Sequence, residues 1–569
     1  MAGRRGARRH ARVPRDERDL LPAHHVPEPA HAHLDRVPRG RRRRGAGRRG
    51  AEPLSVRGAR VSHPHDGVLG FSDHKADIRL SADAVVVGSG PGGAVAAREL
   101  AVRGLDVILV EEGPAFSTAD FRVEAGATMR RVFRESCTRV MQGNGFFPTM
   151  QAIGLGGGSL VNSAISIRAP GWALDKWASE HDTPQLGAGS LDDDYAAVEE
   201  VFGVGPTPDA VMGERNLVFK RGCDALGISS EPTPRNVRGC KGSAECFTGC
   251  RNGAKQSADV ACVPDVVSRG GRVLTSVRVD GVKRDGARAT GVVGWVVEPF
   301  TGRRAHRVEI DAPVVVLAAG CMATPLIMRR SGLGVSNGHA GRHLRAHPGL
   351  AVCALFDHVI NPFEGATQGY HSLHFLEQGM KLEVLWGPPA ILAVRFPGFG
   401  EPLKRHLVAF DRMAPFDVFT HAPHSEGEVR AAPFGDDPVI SYHLDDRDAG
   451  TLQRGLVILS EIAFAAGARA VLPGVHGVPD PITRDQLHLL RDARVTAKEV
   501  TAGANHVFGT TRMGQNPRNS VCDEWGRVHD ARGLYVADTG TFPGSPAVNP
   551  MLTCMALARR TARRVADDR

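Results

Sequence analysis

No stretch of 18 consecutive apolar residues occurs in this 569-residue chain, which excludes a transmembrane helix. No internal repeat is visible, and ten cysteines in a chain of this length are no disulfide framework. Cys137, Cys223, Cys321, Cys353, Cys522 and Cys554 are scattered and read as ordinary core or surface residues. Lysine is missing from residues 1–60, yet that segment holds 17 Arg against 6 Asp or Glu and carries +11. The whole chain is +9, so the remainder is −2 and its body is nearly neutral despite the sequence pI of 9.2. The arm also lacks apolar periodicity, so residues 1–75 are expected to be a disordered basic leader. Arg4-Arg5 and Arg8-Arg9 precede no apolar core of an export signal, so a cytoplasmic location is expected. A nucleic-acid arm is the competing reading. The simpler one, a flexible leader or a translated upstream stretch without function, is preferred, and no nucleic-acid partner is expected.

What is present begins at Asp83. Residues 84–87 form a short apolar run suited to a buried parallel strand, followed by Gly88-x-Gly90-x-x-Gly93 and a helix-forming stretch over 94–103. Gly88 allows the tight turn, Gly90 lets the backbone approach a pyrophosphate, and Gly93 lets helix and strand pack closely. The helix N-terminus offers free N–H groups and a favourable dipole to the phosphates. A second strand over 106–110 ends at Glu111, about 20 residues on, where a carboxylate can hold ribose hydroxyls. This is a dinucleotide-binding unit, and by itself it does not choose between FAD and NAD.

Further segments make the choice. Glu111-Glu112-Gly113, Gly154-Leu155-Gly156-Gly157-Gly158-Ser159-Leu160-Val161-Asn162, the run 314–320 with Ala323-Thr324-Pro325, the His506 segment 505–514, and Ala547-Val548-Asn549-Pro550 occur in this order. Together they resemble the glucose–methanol–choline (GMC) oxidoreductases from about residue 80 to the C-terminus, nearest the cholesterol-oxidase and long-chain-alcohol-oxidase branches. The resemblance implies an α/β fold: a Rossmann-like FAD-binding domain (76–170, 255–345 and 501–569) and a second α+β substrate domain built on an antiparallel sheet (171–254 and 346–500). It implies FAD contacts at Gly88, Gly90, Gly93, Glu111, Gly157, Asn162, Val279, Asp538 and Pro550, with Asp538 acting through its backbone. Some relatives attach flavin through a His just before the loop asparagine. Val161 stands there and has no nucleophile, so non-covalent FAD is expected.

The implied chemistry is oxidation of an alcohol CH–OH to a carbonyl, with the hydride passing to flavin N5. His506 matches the family's base and Asn549 the residue that orients the hydroxyl. The acceptor is oxygen, or a quinone, cytochrome or carrier. The apolar stretch 379–410 suits a steroid or fatty alcohol, although a sheet facing a core would read the same way; sugar or aminoglycoside alcohols are the alternative. A non-redox lyase on the same fold is a second class. Cys240, Cys246 and Cys250 form C-x5-C-x3-C in a polar loop, with Cys262 nearby. The spacing resembles a loop that holds a three-iron cluster in membrane-linked sugar dehydrogenases of the family; a disulfide and plain structural thiols are the other readings.

In the substrate domain, strands are expected over 350–356, 382–386, 390–396, 428–431 and 439–443, with a helix over 447–466 behind them. In the FAD domain, 273–279 and 307–317 read as strands.

Overall fold

The computed structural model describes residues 65–122, 124–386, 396, 398–433 and 437–568. The arginine-rich segment 1–64 and most of the strand expected over 390–396 lie outside these residues.

Six strands form a parallel sheet in the order Val68–Leu69, Arg272–Leu274, Val107–Val110, Ala84–Val87, Val314–Leu317, Leu534–Val536. The central strands are apolar at every position and fully buried, the pattern of a sheet covered on both faces. Helix Pro91–Val102 packs on this sheet, and the C-terminal helix Met551–Asp567 packs on that helix. Residues 65–75, expected to be part of the disordered leader, belong to the fold: Val68–Leu69 extends the sheet, and His65 Nε2 lies 3.2 Å from the Phe116 carbonyl oxygen. A two-residue edge strand in polar sequence leaves no periodic signal.

The strand expected over 273–279 is two strands in two sheets, Arg272–Leu274 and Val277–Asp285. The chain turns between them at Ser276, whose φ is 59°. The stretch 307–317 divides likewise into Arg304–Asp311 and Val314–Leu317, because Pro313 cannot donate to a ladder. Val277–Asp285, Arg288–Val297, Arg304–Asp311 and Ile78–Ser81 make a separate four-stranded sheet.

The substrate half is built on an antiparallel sheet in which Ala470–Leu472, Arg345–Leu355, Met413–Thr420, Met380–Val384 and Tyr370–Ser372 are successive neighbours, and Gly503–Phe508 pairs with Arg345–Leu355. Helix Asp446–Ala465 lies behind it, close enough that a Cβ on Gly455 would come within 2.5 Å of Val418 Cγ2. Glu426–Ala431 and Pro438–His443, expected in this sheet, instead pair with each other and with Val140–Gly143. The segment 171–254 divides between the two cores. Trp177, Tyr195 and Phe202 pack with Leu552 and Met555 of the C-terminal helix, whereas Phe219 meets Phe416 of the antiparallel sheet at 5.2 Å between ring centroids.

Candidate active site

The glycine turn and the flavin-loop candidate are built against each other. Gly88 has φ 98°, open to glycine at no steric cost. A Cβ on Gly93 would stand 1.9 Å from the Gly88 carbonyl oxygen, and one on Gly157 2.7 Å from Gly90 Cα. The Gly156 N–H donates to Ser89 Oγ at 3.0 Å. Ser89 also ties down Glu111: its N–H and hydroxyl donate to Oε2 at 3.0 and 2.7 Å, while the Gly113 N–H donates to Oε1 at 2.9 Å. Burial pushes the Glu111 carboxyl above its usual range against these hydrogen bonds. Beside it, Arg134 Nη2 donates to Glu112 Oε2 at 2.6 Å. Burial would raise the Glu112 carboxyl, but the charge and hydrogen bond of Arg134 together with the Arg278 and Arg139 charges outweigh it and hold it low.

Of these, Gly88, Gly90, Glu111, Glu112 and Arg134 line one end of a cavity of about 510 Å³ that also takes in Gly157, Val161, Asn162, Val279, Asp538, His506, Asn549 and Pro550. The structure thus gathers every glycine-turn, loop and C-terminal residue expected from the sequence except Gly93, which stands behind the wall packing helix on strand. The Asp538 carboxylate accepts from the Gly320 N–H at 3.0 Å, the Thr324 hydroxyl at 2.6 Å and the Gly540 N–H at 2.8 Å. Its side chain is committed to structure, in keeping with a contact made through its backbone. Asn162 Oδ1 accepts from the Ala164 N–H at 3.1 Å. The C-terminal helix starts at Met551, just after Pro550. The glycine cradle, the helix N-terminus and the two carboxylates fit an FAD: backbone can close on a pyrophosphate and acids on a ribose.

At the other end stand His506 and Asn549. The Asn505 side chain accepts from the Met150 N–H at 2.8 Å and anchors the strand at this point. His506 pairs with His347 across the sheet, with Nδ1 to Nδ1 at 3.4 Å, and His347 Nε2 lies 2.7 Å from Ser545 Oγ. The Phe419 ring stacks on His347 at 4.8 Å and meets His506 edge-on at 5.3 Å. Asn549 Nδ2 lies 3.5 Å from His506 Nε2, and its buried Oδ1 has no hydrogen-bond partner among the described residues. Burial lowers His506 to about 4, with Glu383 pulling it back up and Lys381 pressing it down. The imidazole is therefore neutral at neutral pH.

Sequence reasoning missed His347, Phe419, Lys381, Glu383, Gln368 and Asp417. All but Lys381 line the cavity. All but Gln368, which lies in the turn before Tyr370–Ser372, sit at alternating strand positions with no motif around them, so only the register of the sheet reveals them.

Cys240, Cys246 and Cys250 line a separate small cavity of about 10 Å³. All ten cysteines are free thiols, and no His, Cys, Asp and Glu group among the described residues is arranged to hold a metal. The expected cluster finds no support in this arrangement, nor does the disulfide. The loop has a structural part: Arg235 Nη2 donates to Cys246 Sγ at 3.2 Å, and buried Lys255 donates to the carbonyls of Leu160, Asn162 and Cys246 at 2.6, 2.9 and 3.0 Å. No helix among the described residues is long and apolar enough to cross a membrane.

Comparison with known proteins agrees with this geometry. The GMC oxidoreductase profiles match residues 82–349 and 423–558. An uncharacterised GMC-type oxidoreductase of Sinorhizobium fredii is 32% identical over 498 residues, covering 87% of this chain and 96% of that one. A long-chain-alcohol oxidase of Arabidopsis thaliana is 30% identical over 521 residues, covering 86% and 68%. Paromamine 6'-oxidase of Streptomyces fradiae is 26% identical over 527 residues, covering 85% and 91%. Among solved structures, pyridoxine 4-oxidase from Mesorbium loti shares the fold, with a TM-score of 0.66 at 18% identity over 85% of this chain and 98% of that one. With a glycine cradle at one end of its cavity and a neutral histidine at the other, this chain belongs to the GMC oxidoreductases, a family of FAD-dependent oxidoreductases.

Proposed function

We propose that this protein oxidises an alcohol CH–OH group to a carbonyl with non-covalent FAD, with His506 as the base. The observation that carries the reading is the chain Ser545–His347–His506–Asn549, which ends on the cavity wall with an unpartnered Asn549 Oδ1. With the Nδ1 proton of His506 directed at His347, Nε2 is left as a proton acceptor facing the cavity. Asn549 orients the substrate hydroxyl through its amide, and His506 Nε2 takes the hydroxyl proton as the C–O bond gains double-bond character. Phe419 and His347 hold the His506 ring so that no reorientation is needed. FAD, when bound, supplies the acceptor for the carbinol hydride.

Val161, 6% exposed on the cavity wall, offers no nucleophile to the flavin. Acid precipitation is expected to release FAD into the supernatant; flavin retained by the pellet would refute non-covalent binding. The oxidases among the relatives favour oxygen as acceptor.

A specific observation favours a polar alcohol over a plain fatty one. Gln368, Glu383 and Asp417 face the cavity near Phe419, and a saturated chain laid on them would desolvate polar groups without return. An aminoglycoside or sugar alcohol would offer them hydroxyls. Anaerobic screening of alkanols, sterols, sugars and aminoglycosides, with loss of flavin absorbance as the readout, tests both readings. A substrate that turns over without bleaching the flavin would point to a lyase.

A further inference from the structure

The antiparallel sheet places the proposed base at the end of a row. His506 stands opposite His347, Gly349 opposite Phe419, and Phe419 opposite Lys381, across four successive strands. Side chains two residues apart share a face, so Glu383 and Asp417, themselves opposite one another, lie on the same side as Lys381 and Phe419. Lys381 is fully buried and Glu383 is 4% exposed, and the two form an ion pair. The second carboxylate oxygen of Glu383 accepts from Gln368 Nε2 at 2.8 Å, and the Lys381 ammonium lies 5.6 Å from the centre of the Phe419 ring.

A buried ion pair is poor value for stability, because taking both charges out of water offsets most of their attraction. An apolar pair would serve the sheet as well. Glu383 instead opens onto the cavity that holds His506, and Lys381 stands directly behind it.

We propose that Glu383 is the fixed counter-charge for the imidazolium that His506 becomes on accepting a proton, and that Lys381 sets how strongly it acts. Glu383 is a positioning residue for charge and takes no proton itself. The inference rests on the reading of His506 as the base. The charged and titratable groups around His506 are His347, His421, Asp417, Asp538, Lys381 and Glu383. His347 and His421 are both driven towards the neutral form by burial, and Asp538 is committed to Gly320, Thr324 and Gly540. Glu383 and Lys381 act on the His506 charge in opposite senses.

The test titrates His506 directly, without substrate. Diethyl pyrocarbonate modifies only neutral imidazole, so its rate at the His506 peptide, followed by mass spectrometry on the holoenzyme against pH, reports the protonation of that ring. Glu383→Gln removes the negative charge and leaves Lys381, which disfavours the imidazolium, so the midpoint moves to lower pH by about one unit. Lys381→Met leaves Glu383 uncancelled, so the midpoint moves to higher pH. Glu383→Asp keeps the pair but draws the charge back, and gives a smaller downward shift even if the two neutral replacements fail to fold. A merely structural pair would not give shifts of opposite sign. Midpoints unchanged in all folded variants, or shifted in one common direction, would overturn the proposal. Opposite shifts together with an active His506→Ala protein would leave the counter-charge standing and remove the base assignment instead.

Discussion

His506→Ala is expected to lower substrate-dependent flavin bleaching by roughly two to four powers of ten, the range for a lost general base, while FAD stays bound. The nucleotide end of the cavity is built from the glycine turn, the 154–162 loop and Glu111, none of which touches this ring. Asn549→Ala should slow the reaction less, since it orients the hydroxyl and takes no proton. The pH dependence has a definite sign. The base works when neutral and burial holds it at about 4, so the rate should stay level through neutral pH and fall only as pH drops through about 4. A His506→Ala protein that bleaches at the wild-type rate would show that another group takes the proton.

Gly93→Ala is expected to yield protein without FAD. The added methyl would stand 1.9 Å from the Gly88 carbonyl oxygen and 3.0 Å from Ala318 Cβ. Backbone must move, and the parts that move are the turn and the helix N-terminus that cradle the pyrophosphate. Overpacking of this kind costs about 3 kcal/mol or more where the obstacle is main chain. The ratio of flavin to protein absorbance and the Tm measure both effects. Gly126→Ala is the control: it lies in helix Ala125–Val132 with nothing within 4 Å of the new methyl. A Gly93→Ala protein with full flavin content would mean that helix and strand can separate without disturbing the site.

The nucleotide half of this protein was legible in the sequence because its chemistry depends on backbone. A turn that needs φ 98° at Gly88, or a helix so close at Gly93 that a Cβ would stand 1.9 Å from a carbonyl oxygen, admits glycine alone, so the requirement is written as residue identity at fixed spacing. That His506 and Asn549 line one cavity was foreshadowed in the same way, since each sits in a short segment of distinctive residue order. The polar wall was not. Lys381 and Glu383 could be core-facing or solvent-facing strand residues, and only pairing with Met413–Thr420 decides which. The cysteine loop failed in the other direction: its spacing was suggestive, but the thiols line a cavity of about 10 Å³ among the cations Arg235 and Lys255. Pattern in sequence constrains neighbours along the chain, whereas a ligand set also needs convergence in space.

The parallel sheet begins at Val68 and is closed by Leu534–Val536, with the C-terminal helix laid across the helix that follows the glycine turn. During synthesis the opening strands therefore emerge long before the segments that cover them. At about 5–20 residues per second the interval is tens of seconds; Arg272–Leu274 and Val314–Leu317 cover the outer edges of Val107–Val110 and Ala84–Val87 within it, and Val314–Leu317 is then itself an open apolar edge until Leu534–Val536 arrives. The nascent chain therefore has to be shielded from other chains until Leu534–Val536 and the helix that follows it have been made.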